Sequence, residues 1–332
     1  MCIIGSKEPV QRETRETAAT LVRIADSHIR FGHFEWIFHN QPKLLKSFSD
    51  YVIQRHYPSC QHSSKPYADL LQQIVTRTAT LMAQWQLVGF AHGVMNTDNF
   101  SITGCTFDYG PYGFLDVYKP SFICNHSDNT GRYAWNQQPS IGLWNLNALA
   151  YALSPLIEKE DIMTALQSYE ATLLDTYYKG IKAKLGLIED NEQDNALAFD
   201  LLDILMKNNM DYTRTFRALS HVNKEDTFCS LRDDCLDRTK FDDWFKSYTQ
   251  RLAQEKTTNS QRQQQMKATN PKYILRNYLA QIAIEKAEKG DFSEIDTLLM
   301  LLQSPFAEHL EYEHYADLPP DWGRELEISC SS

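Results

Sequence analysis

The sequence predicts an α+β protein that is mostly helical, with its irregular backbone concentrated in one interval. Two observations predict this. Apolar residues recur at three- and four-residue spacing over several long segments, and five of the thirteen glycines fall between about Phe90 and Pro139. From Tyr67, the positions Leu70, Leu71, Ile74, Val75, Leu81, Met82 and Trp85 draw one apolar stripe along a long helix, which should be buried. The helical pattern then stops, and short β-prone pieces such as Phe100 to Ile102 appear. Loops carried on a rigid scaffold are where chemistry is usually placed. Next, Asp161 is expected to cap a helix carrying Ile162, Leu166, Tyr169, Leu173 and Ile181 and ending near Gly186. Asn270-Pro271 reads as an N-cap with proline at the first helical position, opening a helix through Ile274, Leu275, Tyr278, Leu279 and Ile282 to Gly290. The stretch Gln261 to Gln265 reads as a solvated helix or linker, and the acidic segment from Glu308 to Glu327 as a solvated surface.

Composition narrows the function. The 332 residues are 42% hydrophobic, enough to fill a substantial core, so disorder is excluded. A net charge of −10 argues against wholesale binding to nucleic-acid phosphates, and no run of apolar residues is long enough for a membrane span. The chain is therefore expected to be cytoplasmic, with no nucleic-acid or membrane partner. Its seven cysteines (2, 60, 105, 124, 229, 235 and 330) are scattered and lack zinc-ligand spacing, so most should be reduced thiols.

The informative run begins His92-Gly93-Val94-Met95-Asn96-Thr97-Asp98-Asn99, with Asp108-Tyr109-Gly110 nine residues beyond Asn99. A protein-kinase catalytic loop has the form H-R-D-L-x-x-x-N followed by D-F-G, its Asn and second Asp holding magnesium. His92, Asn99 and the Asp108 triplet fit that frame. The catalytic Asp does not, because Val94 takes its place and a carboxylate appears at Asp98 instead. Either arrangement meets one need: a polyphosphate neutralised by a divalent ion on oxygen ligands, beside an acceptor hydroxyl. Read without that frame, Asn-Thr-Asp-Asn is simply a good turn former and Asp-Tyr-Gly-Pro-Tyr-Gly a tight loop. His92, and with it His28 and His33, fits a supporting hydrogen-bond role better than acid–base work.

The longer run HGVMNTDNFSITGCTFDYGPYGFLDVYKPSFICNHSDNTGRYAWNQQPSIGLWNLNALA resembles the selenoprotein O family, also called the YdiU family. So do EPVQRET through SHIRFGHFE, NPKYILRNYLAQIAIEKAEKGD and PPDWGRELEISCSS, so that the resemblance spans essentially the whole chain. It implies a protein-kinase-like large lobe and transfer of AMP from ATP, bound inverted relative to ordinary kinases, to Ser, Thr or Tyr hydroxyls of target proteins, with Mg²⁺ or Mn²⁺. By the same resemblance Asp98 matches the catalytic proton acceptor, Asn99 and Asp108 the metal ligands, and Asp108 also a nucleotide contact. Arg23 and Arg30, in RIADSHIR, match two phosphate-contacting arginines; two guanidinium groups suit a polyphosphate, although surface ion pairing would use them equally well. Cys124 and Cys330 match a redox pair, a disulfide restraining a loop beside the active site.

The expected division is residues 1–41 as a remnant of the small lobe and hinge, and 42–332 as the helical lobe with catalytic and metal loops at about 90–139. A Gly-rich phosphate loop, a strand lysine and its glutamate partner are not found, so most of a small lobe is expected to be missing or supplied by a separate polypeptide. That leaves alternatives to AMP transfer: a catalytically impaired pseudokinase-like binding or scaffold module, ordinary phosphoryl transfer, or UMP transfer from UTP.

Overall fold

The computed structural model describes residues 2–11, 15–324 and 326. It is α+β and mostly helical. Strands β1 (Cys2–Gln11) and β2 (Arg15–Val22) pair antiparallel, Ile3 opposite Leu21, and this hairpin leaves Ile3, Ile4 and Leu21 more than half exposed. Helices α1 (Phe31–Asn40), α2 (Leu45–His56) and α3 (Pro66–Val88) follow. The expected stripe on α3 is buried: Leu70, Leu71, Ile74, Val75, Met82 and Trp85 all face the core. Proline in its first turn opens α3, and Gly89, at φ +71°, closes it in the left-handed conformation that a side chain would resist.

Irregular backbone then runs to Gln137. It contains two short strands, β3 (Phe90–Ala91) and β4 (Gly113–Phe114), which pair antiparallel, and two 3₁₀ turns, at Thr97–Asn99 and Trp135–Gln137. Helices α4 (Gln138–Leu153) and α5 (Lys159–Lys184) resume the scaffold. The first core joins α1 to α5, and α1 contributes Phe31 and Phe34, both fully buried. A second core gathers the end of α5 with α6 (Asp194–Asn208), α7 (Tyr212–Leu219), α8 (Arg238–Leu252) and α9 (Asn259–Thr269). A third, smaller one lies under α10 (Asn277–Glu288) and α11 (Ser293–Gln303), and a short helix α12 (Asp321–Arg324) closes the described chain.

Three expectations about local structure are corrected. Asp161 does not cap α5, which starts two residues earlier behind Glu158; its carboxylate accepts from Lys65 Nζ at 2.8 Å. Asn270 does not open a helix. It ends α9, and its Nδ2 is spent in the core, donating to Lys184 O at 2.8 Å, so α10 begins only at Asn277. The acidic segment is not simply solvated. Glu308 accepts from buried Arg217 at 2.6 Å and from Lys272 at 2.5 Å. Burial works to raise the Glu308 carboxyl, but the bonds from Lys272 and Arg217 outweigh it and bring it down to about 2. The glutamine-rich stretch lies inside α9, opened by a capping box between Thr258 and Gln261.

Candidate active site

The site is built where the segment before α1 crosses the irregular interval. Phe31 N–H donates to Phe100 O at 3.1 Å and Ile102 N–H to Ile29 O at 2.9 Å, a two-bond clamp around the bridge between Arg30 and Ser101. Stacking of Phe31 on Phe100, with centroids 5.4 Å apart, fills the space beneath it. This clamp sets Arg30, the N-cap of α1, over the loop that carries Asp108.

Asp108 is where the groups converge. Arg30 Nη1 lies 3.5 Å from its Oδ2 and Arg23 Nη2 lies 3.8 Å from its Oδ1. Asn99 Nδ2 donates to Oδ2 at 2.9 Å. Both guanidinium groups also sit over the Phe107 ring, at 5.6 Å for Arg23 and 4.9 Å for Arg30. Asp108 is one of two described non-glycine residues at positive φ, +63°. Such backbone is costly and persists where its surroundings hold it.

What holds it is visible. His92 is buried, and its Nε2 is 2.9 Å from Phe107 O, so Nε2 carries the proton and donates. Burial pushes the His92 imidazole below its usual range, keeping it neutral. The ring stacks on Trp85 of α3, and the His92 backbone N–H is held by Gln138 Oε1 at 2.9 Å. Supporting hydrogen bonding is thus the role its contacts describe. His33 also supports, its Nδ1 accepting from Arg30 N–H at 3.0 Å, while His28 is exposed.

Asp98 sits in the 3₁₀ turn, exposed, against the first turn of α1. A Cβ placed on Gly32 would fall 2.1 Å from Asp98 Oδ1. Glycine at 32 therefore makes the room in which this carboxylate stands, beside a helix N-terminus, whose partial positive charge favours an anion. The structure thus brings Asn99, Arg23 and Arg30 together on Asp108, with Asp98 beside the first turn of α1 that follows Arg30.

The donor set fits a divalent cation. Asp108 draws three N–H-bearing groups where a cation would otherwise stand, and the Asn99 side-chain amide, whose oxygen accepts from Asn96 N–H, lies beside it. Among the described residues no group of three His, Cys, Asp or Glu side chains is placed to hold a metal alone.

A family model described as "Protein adenylyltransferase SelO" matches residues 1–303. A "Protein nucleotidyltransferase YdiU" of Yersinia pseudotuberculosis is 52% identical over 333 residues, covering 100% of this chain and 69% of the relative. Proteins of the same description from Aliivibrio salmonicida and Vibrio vulnificus are also 52% identical, with 99% and 98% of this chain and 68% of each relative covered. The chain belongs to the SelO family.

Two glycines of this SelO-family site were not singled out by the sequence reading. Gly32 is one. Gly93 is the other: at φ +80°, a Cβ there would fall 2.7 Å from both Cys124 Sγ and Pro111 O. Their only sequence signal was position, each beside a motif residue. Cys124 is buried against Gly93, its Sγ 3.4 Å from Ala91 O, whereas its expected redox partner Cys330 lies outside the described residues. Among the described residues no helix is long and apolar enough to cross a membrane.

Proposed function

We propose that this chain transfers AMP from ATP to Ser, Thr or Tyr hydroxyls of target proteins, with Mg²⁺ or Mn²⁺. The observation that carries the reading is the convergence of Arg23, Arg30 and Asn99 on Asp108 with an exposed carboxylate, Asp98, alongside. Asp98 takes the proton of the acceptor hydroxyl, whose oxygen attacks the α-phosphorus. The bond to the bridging oxygen breaks, and pyrophosphate leaves. Arg23 and Arg30 stabilise the charge gathering on that leaving group, as donors already in place do. Asn99 and Asp108 would hold the metal, which when bound would neutralise phosphate charge. Support also comes from the family description, which names adenylyl transfer, while the relatives' names leave the nucleotide general.

The test is incubation of the chain with a protein acceptor, divalent metal and ATP or UTP labelled at the α-phosphate. Label should pass to protein with release of pyrophosphate, faster from ATP than UTP. Asp98→Ala or Asp108→Ala should lower the rate by roughly two orders of magnitude or more. Release of ADP in place of pyrophosphate would mean phosphoryl transfer, and unchanged labelling in Asp98→Ala would end the assignment of its role.

A further inference from the structure

We infer that Tyr133, outside the motif, is a positioning residue for this transfer; the inference rests on the reading of Asp98 and Asn99 proposed above. Tyr133 O–H donates to Asn96 Oδ1 at 2.7 Å across 37 residues of chain. Asn96 is the N-cap of the turn that bears both residues: its backbone O accepts from Asn99 N–H at 2.9 Å, and its own N–H donates to Asn99 Oδ1 at 3.3 Å. Asn99 Nδ2 in turn donates to Asp108 Oδ2 at 2.9 Å. A continuous line of hydrogen bonds therefore runs from the Tyr133 hydroxyl to the carboxylate on which the site converges.

The far end of that line is anchored as well. Asp128 fixes the backbone of the Tyr133 loop, its carboxylate accepting from Arg132 N–H at 3.0 Å and Tyr133 N–H at 2.7 Å. On the opposite side of the turn, Asn145 Nδ2 of α4 donates to Met95 O at 2.9 Å. The turn is thus held between α4 and the 128–133 loop. Of these two holds, the one through Tyr133 acts on Asn96, the N-cap residue itself. The Tyr133 ring packs against the first core, so the hydroxyl can be removed while that packing is kept.

The experiment is a double-mutant cycle in the full chain, Tyr133→Phe and Asn96→Ala singly and together. Its readouts are labelled AMP transfer, thermal midpoint, and hydrogen exchange at the Asn99 amide. Each single variant should lower kcat about 3- to 10-fold, the range expected of one hydrogen bond, with KM for ATP within about twofold. The double variant should be no slower than the slower single one. Asn99 N–H should exchange several-fold faster in Tyr133→Phe while the thermal midpoint stays near wild type. A wild-type rate in Tyr133→Phe, or losses that multiply in the double variant, would overturn the inference. So would unchanged exchange at Asn99, a result that needs no turnover. Asp98→Ala run beside them separates the two claims: if it transfers AMP at the wild-type rate, the catalytic reading fails, and the exchange data still report whether Tyr133 holds the turn.

Discussion

Gly32→Ala should separate catalysis from stability in this protein. The added methyl carbon would stand 2.1 Å from Asp98 Oδ1 and 3.0 Å from its Cγ. To reach an ordinary contact of 3.4 Å the oxygen must retreat by about 1.3 Å. That is cheap for the fold, because Asp98 is exposed and the atom that must move is the end of its side chain. Gly32 also lies in the first turn of α1, where alanine is the better helix former by up to roughly 1 kcal/mol. For catalysis it is costly, since misplacing a reacting group by about 1 Å can lower the rate around 100-fold. The expected result is a thermal midpoint equal to or above wild type, with kcat for AMP transfer down by about two orders of magnitude and metal-dependent ATP binding little changed. Wild-type turnover in a folded Gly32→Ala protein would refute the placement of Asp98 as proton acceptor. A large fall in thermal midpoint would refute the claim that the carboxylate yields without cost.

The remaining predictions concern buried polar groups of the scaffold. His92→Phe keeps the stack on Trp85 but removes the donor to Phe107 O, so kcat should fall about 3- to 10-fold, measured by label transfer. Because burial depresses the folded pKa of His92, its contribution to stability is present above 6.5 and is lost as pH falls below that value; urea midpoints should show this loss in wild type and less of it in His92→Phe. Lys184 is buried with its Nζ 4.3 Å from the Phe216 ring centroid and 5.3 Å from that of Tyr212, and burial pulls it down to about 7. The unfolded chain therefore holds the extra proton between about 7 and 10.5, so stability should rise with pH across 7 to 9, and Lys184→Met should raise the midpoint at pH 7 and flatten that rise. Arg276 is buried between Asp116 and Asp211, the latter at 2.8 Å. Arg276→Met would leave a buried carboxylate unpaired and should cost about 3–5 kcal/mol in chemical denaturation.

The sequence disclosed whatever depends on local period or on neighbouring residues. The α3 stripe was readable because helix burial repeats along the chain itself. Asn99 and Asp108 drew notice because a fixed nine-residue gap separates them, although spacing alone favoured a plain turn and Asp98 stood outside the kinase frame. Arg23 and Arg30 came only through the family resemblance, because an arginine's partner is not written beside it. The failures share one cause. Asn270 looks like a helix cap, yet its amide is consumed by Lys184 O. Glu308 looks like surface charge, yet it satisfies buried Arg217.

The same cause hid Gly32, Gly93 and Tyr133. Each acts on a residue brought near by folding, and each does so through an attribute that periodicity does not record: a missing Cβ in the two glycines, one hydroxyl in the tyrosine. A polar side chain or a glycine is chosen locally among several acceptable uses, and long-range contacts decide which use is taken. Apart from His92 and His33, the residues of this site that a sequence reading names are accordingly those proposed to touch nucleotide or metal. Those that fix their geometry become visible only when the turn at Thr97–Asn99 is seen wedged between the start of α1, the Tyr133 loop and α4.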